Sequence, residues 1–314
     1  MDEEIAASRP TAPDWTTITN DELVAYREAE NRFRASVEAR VVLGEPDPGA
    51  TIGWQQVALP GRELPVRVYR PTTSTTTALP LVLHVHGGAF VGTAVQCDWA
   101  NSYVAAQLPA VVVSVEHRLL DADTPLSAAA DDGWDVLQLL VRDAEQWGVD
   151  PARVTVFGES CGALISALTA IRAKRASIDV RAQVLVNPAV DVTESMFDYP
   201  SATEYADTPT LTVPTLELFR RFAVPTRADS LALSPLYADD LGNLAPALVV
   251  VPTHDPVADH GRRYAQALQK AGTPTRLTEY PGAPHAFLTL PGMVKQAEDA
   301  RAEILEFLRA RLAD

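Results

Sequence analysis

The stretch from Val154 to Ile165 constrains the chain more than any other. A β-branched run, Val154-Thr155-Val156-Phe157, leads into Gly158-Glu159-Ser160-Cys161-Gly162, and small and apolar residues follow at Ala163-Leu164-Ile165. Glycine on both sides of a serine, between a strand and a helix, is the nucleophile-elbow pattern. The turn is sharp, and flanking side chains would clash. It lifts the hydroxyl off the sheet, with a helix N-terminus behind it that favours developing negative charge. The pentapeptide also occurs by chance as a plain glycine-bounded turn, so its meaning depends on the rest of the chain.

Strand and helix patterns alternate around it. Residues 1 to about 45 are helical in character: Thr19-Asn20-Asp21-Glu22 reads as a helix start, and Leu23 to Val42 carries apolar residues at helical spacing until Gly44, Pro46 and Pro48. Trp54 to Arg70 alternates around Pro60-Gly61-Arg62, which predicts a hairpin and an antiparallel start to the sheet. Pro71 to Ala78 is a Thr-rich loop. Leu79–Val85, Ala110–Val115, Val154–Phe157, Ala182–Val186, Ala247–Val251 and Thr275–Glu279 read as strands. Trp99–Gln107, Ala128–Trp147, Arg262–Ala271 and Ala297–Ala313 read as helices. This alternation predicts βαβ crossovers and a mostly parallel sheet flanked by helices. Residues 190 to about 230 are rich in Pro, Thr and aromatics without a sheet pattern, and insertions of that length in compact domains are usually functional lids.

An acyl-transfer serine needs a base, an orienter for the base and donors for the oxyanion. In this architecture functional loops lie at the carboxyl ends of strands. One such loop holds His254-Asp255-Pro256 and another Pro284-His285-Ala286. The order Ser160, Asp255, His285 is the serine–acid–histidine order of α/β-hydrolases. Asp259 competes as the acid but sits where the helix through Tyr264 needs an N-cap. The other histidines fit less well: His84 is inside a strand, His254 is too close to Asp255, His260 lies near a helix cap, His117 has no acid in the right loop, and His86 fixes the glycine loop that it opens. In His86-Gly87-Gly88-Ala89 the backbone N–H groups of Gly87 and Gly88 can approach a substrate carbonyl, with the N–H of Cys161 as third donor. The Cys161 thiol reads as a small buried hydrophobe rather than a nucleophile. Glu159 reads as a polar elbow residue.

Composition narrows the partners. The 314 residues, 47% hydrophobic, suit one large α/β domain or a domain with a lid. The net charge of -15 argues against nucleic acid and anionic membrane surfaces. No apolar run approaches the ~18 residues that span a bilayer. The acidic start Met1-Asp2-Glu3-Glu4 is unlike a signal peptide. Cys97 and Cys161 lack metal-type spacing and read as reduced thiols of a cytoplasmic protein.

The chain resembles the bacterial hormone-sensitive-lipase family of α/β-hydrolases from about residue 79 onward. The family's HGGGF loop corresponds to His86-Gly87-Gly88-Ala89-Phe90, its GDSAG elbow to Gly158-Glu159-Ser160-Cys161-Gly162, its DPLxDEG segment to Asp255 through Gly261, and its HGF segment to His285-Ala286-Phe287. Its YRLAPE stretch is altered to His117-Arg118-Leu119-Leu120-Asp121-Ala122, residues that usually shape the pocket floor. The resemblance implies hydrolysis of carboxylic esters, usually short-acyl, with no cofactor and no metal. It also implies a helical cap, built here from residues 1–45 and the insertion at about 190–230, over a core of residues 46–314. Dimers are common in the family, which leaves a homodimer open. Candidate pocket residues are Asp98 and Trp99 after the oxyanion loop and Phe197, Tyr205, Leu211 and Phe219 in the insertion. The same machinery acting on an amide, carbamate or N-acetyl group is the alternative. A non-catalytic binding protein, or a thiol hydrolase using Cys161, is more remote.

Overall fold

The structure, a computed structural model, describes residues 9–73, 78–224 and 226–313. The acidic start and residues 74–77 of the Thr-rich loop therefore lie outside the described residues. Eight strands form one sheet: β1 (Ala50–Leu59), β2 (Arg62–Pro71), β3 (Leu79–Val85), β4 (Val111–Val115), β5 (Val149–Glu159), β6 (Ala182–Val186), β7 (Ala247–His254) and β8 (Thr275–Pro284). Their order is β1-β2-β4-β3-β5-β6-β7-β8. The hairpin β1–β2 is antiparallel, β2 meets β4 antiparallel, and every later pairing is parallel. The longer helices are α1 (Asn20–Arg34), α2 (Asp98–Gln107), α3 (Leu126–Arg142), α4 (Cys161–Arg175), α5 (Val213–Ala223), α6 (Ala258–Lys270) and α7 (Gln296–Leu312).

Continuous apolar runs become the strands that are covered on both faces. Every residue of β3, β4 and β6 is buried, and each buried Val or Leu contributes about 1.5–3 kcal/mol. The hairpin alternates because it lies at the sheet's edge. Two expected helices are divided. The first stops at Ala35, and the Ser36 hydroxyl accepts the Ala39 N–H before a short turn over Arg40–Leu43. The second breaks at Asp143, which leaves helical geometry between α3 and the turn Ala144–Trp147. Asp259 is not the N-cap of α6. That position falls to Val257, so Asp259 sits in the first turn, accepts the Ser201 N–H at 3.0 Å and pairs with Arg262 at 3.0 Å. Among the described residues no helix is long and apolar enough to cross a membrane.

The insertion after β6 is helical and pinned to the body of the molecule. Ser201 Oγ donates to the Pro256 carbonyl at 2.9 Å, and Tyr199 and Tyr237 both donate to Asp191. The Asp191 N–H donates to Nδ1 of His260, which is fully buried in α6 beside the Tyr199 ring. Burial pushes His260 down to about 4 against the opposing pull of Asp191, Asp255 and Asp259. Burial lowers His86 and His117 as well. The unfolded chain takes up these protons near 6.5 and the native chain only at lower pH. The stability that hinges on keeping these histidines neutral is therefore full above about 6.5 and is lost on acidification, for His260 toward about 4. Denaturant midpoints should fall over that window, and His260→Gln should flatten the fall. Identical slopes for wild type and variant would contradict this account of His260.

Candidate active site

Ser160 sits between β5 and α4 with φ 54° and ψ -119°. A non-glycine residue held there costs on the order of 1–3 kcal/mol. Neighbouring backbone holds it: its N–H donates to the Val186 carbonyl at 2.9 Å, and its own carbonyl accepts from Ala163 and Leu164 at 3.1 Å. The flanking glycines are required by contact. A Cβ on Gly158 would lie 2.3 Å from the Gly162 oxygen, and one on Gly162 would lie 2.1 Å from the Val85 oxygen of β3.

His285 follows β8 and Asp255 follows β7, so parallel pairing of those strands brings the two loops together. His285 Nε2 lies 2.8 Å from Ser160 Oγ, and His285 Nδ1 lies 2.8 Å from Asp255 Oδ2. The Val257 N–H donates to Asp255 Oδ1 at 2.9 Å, so Asp255 is both a turn residue and the histidine's partner. Asp255 and His285 are buried while Ser160 is part-exposed. Asn187, in left-handed geometry at φ 38°, brings its amide nitrogen within 3.4 Å of His285 Nε2.

The glycine loop lies against the elbow. A Cβ on Gly87 would be 3.4 Å from Ser160 Cβ, and Gly88 has φ +86° with the Val91 oxygen 2.0 Å from where its Cβ would be. The N–H groups of Gly87, Gly88 and Cys161 donate to no backbone acceptor among the described residues. Gly87, Gly88, Cys161 and Ser160 all line one cavity. His86 and His117 stack at 4.3 Å and His117 Nε2 lies 3.3 Å from the His86 carbonyl, so the altered stretch after β4 touches the residue that opens the loop. Burial pushes the Cys161 thiol up to about 12, which keeps it protonated at neutral pH.

These groups open into a cavity of about 550 Å³. Leu211 and Phe219 line it. Asp98, Trp99, Phe197 and Tyr205 are not among its lining residues. Asp98 accepts both arms of Arg67 at 2.6 Å and the Tyr69 hydroxyl at 2.7 Å, which ties α2 to β2. Trp99 is buried under the Arg301 guanidinium, 3.6 Å from its ring. Phe197 packs against Met196, Leu216 and Val257, and Tyr205 against the His254 ring at 4.8 Å. The N-terminal segment, expected as part of a cap, adds wall residues that the sequence did not single out: Trp15, Tyr26, Glu30, Phe33 and Arg34. The last four fall at i, i+4, i+7 and i+8, one helical face, and that spacing was the available signal. Behind the elbow, ligand atoms of His84, Cys97 and Glu159 lie within 4.8 Å of one another, a donor set of the kind that holds a metal ion. The Cys97 thiol donates to Glu159 at 3.7 Å, and His84 Nδ1 lies 2.8 Å from Ser114 Oγ.

A family model described by the α/β-hydrolase fold, Abhydrolase_3, matches residues 82–289. The chain belongs to the hormone-sensitive-lipase family of α/β-hydrolases. This hydrolase is similar to "Ethyl acetate hydrolase" of Pseudomonas putida, at 30% identity over 91% of this chain and 90% of that one. It is similar to "Carboxylesterase NlhH" of Mycobacterium tuberculosis, at 33% identity over 80% and 79%. Among solved structures, the esterase of the archaeon Pyrobaculum calidifontis superposes with a TM-score of 0.84 at 29% identity, covering 94% and 93% of the two chains.

Gly162→Ala should cost about 3 kcal/mol of stability through overpacking. Gly53→Ala in β1, whose added Cβ meets nothing within 4 Å, should stay within ~0.5 kcal/mol of wild type. Equal melting temperatures for the two variants would contradict the account.

Proposed function

We propose that this hydrolase is a serine carboxylesterase acting on small to medium, short-acyl esters through Ser160, His285 and Asp255. Hydrolysis of carboxylic esters is the activity named for its relatives. The observation that carries the finer reading is the run Asp255–His285–Ser160 with two contacts of 2.8 Å at the floor of the cavity. His285 takes the Ser160 proton through Nε2 as Oγ attacks the ester carbonyl. Asp255 holds Nδ1–H and stabilises the imidazolium. The N–H groups of Gly87, Gly88 and Cys161 receive the oxyanion. His285 then gives the proton to the departing alcohol, and the acyl-enzyme is hydrolysed by the reverse sequence with water.

The cavity's size falls within the usual range for small-ligand sites. Aromatic and aliphatic residues of α1 and the insertion cover it, which supports the reading of these two segments as a cap. Sequestering the acyl-enzyme from bulk water is the physical use of such a cover.

The test is hydrolysis of p-nitrophenyl esters from acetate to palmitate. Activity should be highest on the short chains. Ser160→Ala and His285→Ala should each lower kcat by several orders of magnitude, and the double variant should be little worse than either alone, because the residues act as one unit. Additive losses would contradict a shared proton path. No ester hydrolysis by folded wild type, with activity on amides or carbamates, would replace the ester reading with the amide one.

A further inference from the structure

We infer that Gln96 is a positioning residue that makes a formed oxyanion hole conditional on docking of the N-terminal helix α1; this rests on the oxyanion role of Gly88 proposed above. The starting point is one peptide unit. The carbonyl of Gly87 and the N–H of Gly88 belong to the same planar trans amide, so they point in opposite directions. Whatever holds the Gly87 carbonyl therefore fixes the direction of the Gly88 N–H. The unit can also turn over, because both residues that flank it are glycines and Gly88 already has φ +86°.

The side chain that holds it is Gln96, whose Nε2 donates to the Gly87 carbonyl at 3.2 Å. His86 Nδ1 lies 2.9 Å from the same oxygen, but it belongs to the loop itself. The amide of Gln96 could face either way unless its other end is fixed. Its Oε1 accepts from the Arg34 guanidinium and from the Thr93 N–H at 3.4 Å. With the oxygen held there, only the NH₂ end can face Gly87. Arg34 is the last residue of α1, and its Nε donates at 3.0 Å to Glu30, which Arg9 also holds at 2.9 Å. The chain Arg9–Glu30–Arg34–Gln96–Gly87 thus runs from the N-terminal segment to the peptide that presents the Gly88 N–H.

The rest of α1 grips the same loop through its carbonyls. Arg27 Nε donates to the Phe90 carbonyl at 2.7 Å, and Asn31 Nδ2 donates to the Gly92 carbonyl at 2.8 Å. A second Arg27 nitrogen donates to the Leu120 carbonyl, whose own N–H donates to Ala89 at 2.8 Å. Three side chains of one helix therefore hold the loop from Gly87 to Gly92, directly or through Gln96. The same helix lines the cavity with Tyr26, Glu30, Phe33 and Arg34. A substrate that seats against α1 thereby favours the loop geometry that its own carbonyl needs.

The test is Gln96→Glu beside Gln96→Met and Arg34→Met, measured on a short p-nitrophenyl ester that wild type hydrolyses in a Ser160-dependent way. Glutamate keeps the pairing with Arg34 but turns an acceptor toward the Gly87 carbonyl, which favours the flipped peptide. Methionine only removes the hold. The expected order of kcat is wild type, then Gln96→Met, then Gln96→Glu, the last falling toward the ~10²–10³ that one lost oxyanion donor costs. KM should stay within about threefold, while affinity for a trifluoromethyl ketone, which forms a tetrahedral adduct on serine, should fall in step with kcat. Arg34→Met should lower kcat in wild type and add nothing in the Gln96→Glu background. Gln96→Glu with unchanged melting temperature and kcat within twofold of wild type would overturn the inference. So would an Arg34 effect that simply adds. Loss of all Ser160-dependent hydrolysis in wild type would instead sink the catalytic reading on which it rests.

Discussion

Backbone contact at the elbow is the constraint on which the structure depends. Ser160 is held in a conformation that an L-residue resists, and the resistance is overcome because the glycines on either side let β5, α4 and the end of β3 approach within contact distance. The approach of α4 to the Val85 and His86 carbonyls sets the distance between the elbow and the glycine loop that leaves β3. One close contact therefore fixes both the height of Ser160 and the position of the glycine loop beside it. The parallel pairing of β7 with β8 then has only to bring Asp255 and His285 to that point.

Much of this was legible in the chain because the chemistry-bearing residues directly follow strands. An apolar run locates a strand, its end locates a loop, and the loop carries the motif: Gly87 after β3, Ser160 after β5, Asp255 after β7 and His285 after β8. The pocket wall was less legible. Asp98 and Trp99 follow the oxyanion loop closely, but Arg67 on a strand of the edge hairpin and Arg301 on the last helix draw them away from the cavity. Those partners are distant in sequence, and no local pattern announces them. The wall residues on α1 could have been found from their shared helical face, whereas Gln96 carries no signal until Arg34 and Gly87 are seen on either side of it.

The two covering segments differ in what they hold. The insertion is pinned to the acid's side of the site, where Ser201 meets both Pro256 and Asp259 next to Asp255. Helix α1 is pinned to the glycine loop through the Phe90 and Gly92 carbonyls. The insertion thus braces the loop that carries Asp255, and α1 braces the glycine loop. In the buried trio His84, Cys97 and Glu159, the Cys97 thiol donates to Glu159 while His84 Nδ1 meets Ser114 Oγ.

The central claim is that Ser160, and not the adjacent Cys161, is the nucleophile. The most direct measurement is labelling of the active protein with a fluorophosphonate, followed by peptide mass spectrometry. The account predicts one adduct, on Ser160, that stops activity as it forms and is lost in His285→Ala. An adduct on Cys161, or full inactivation with Ser160 unmodified, would contradict it.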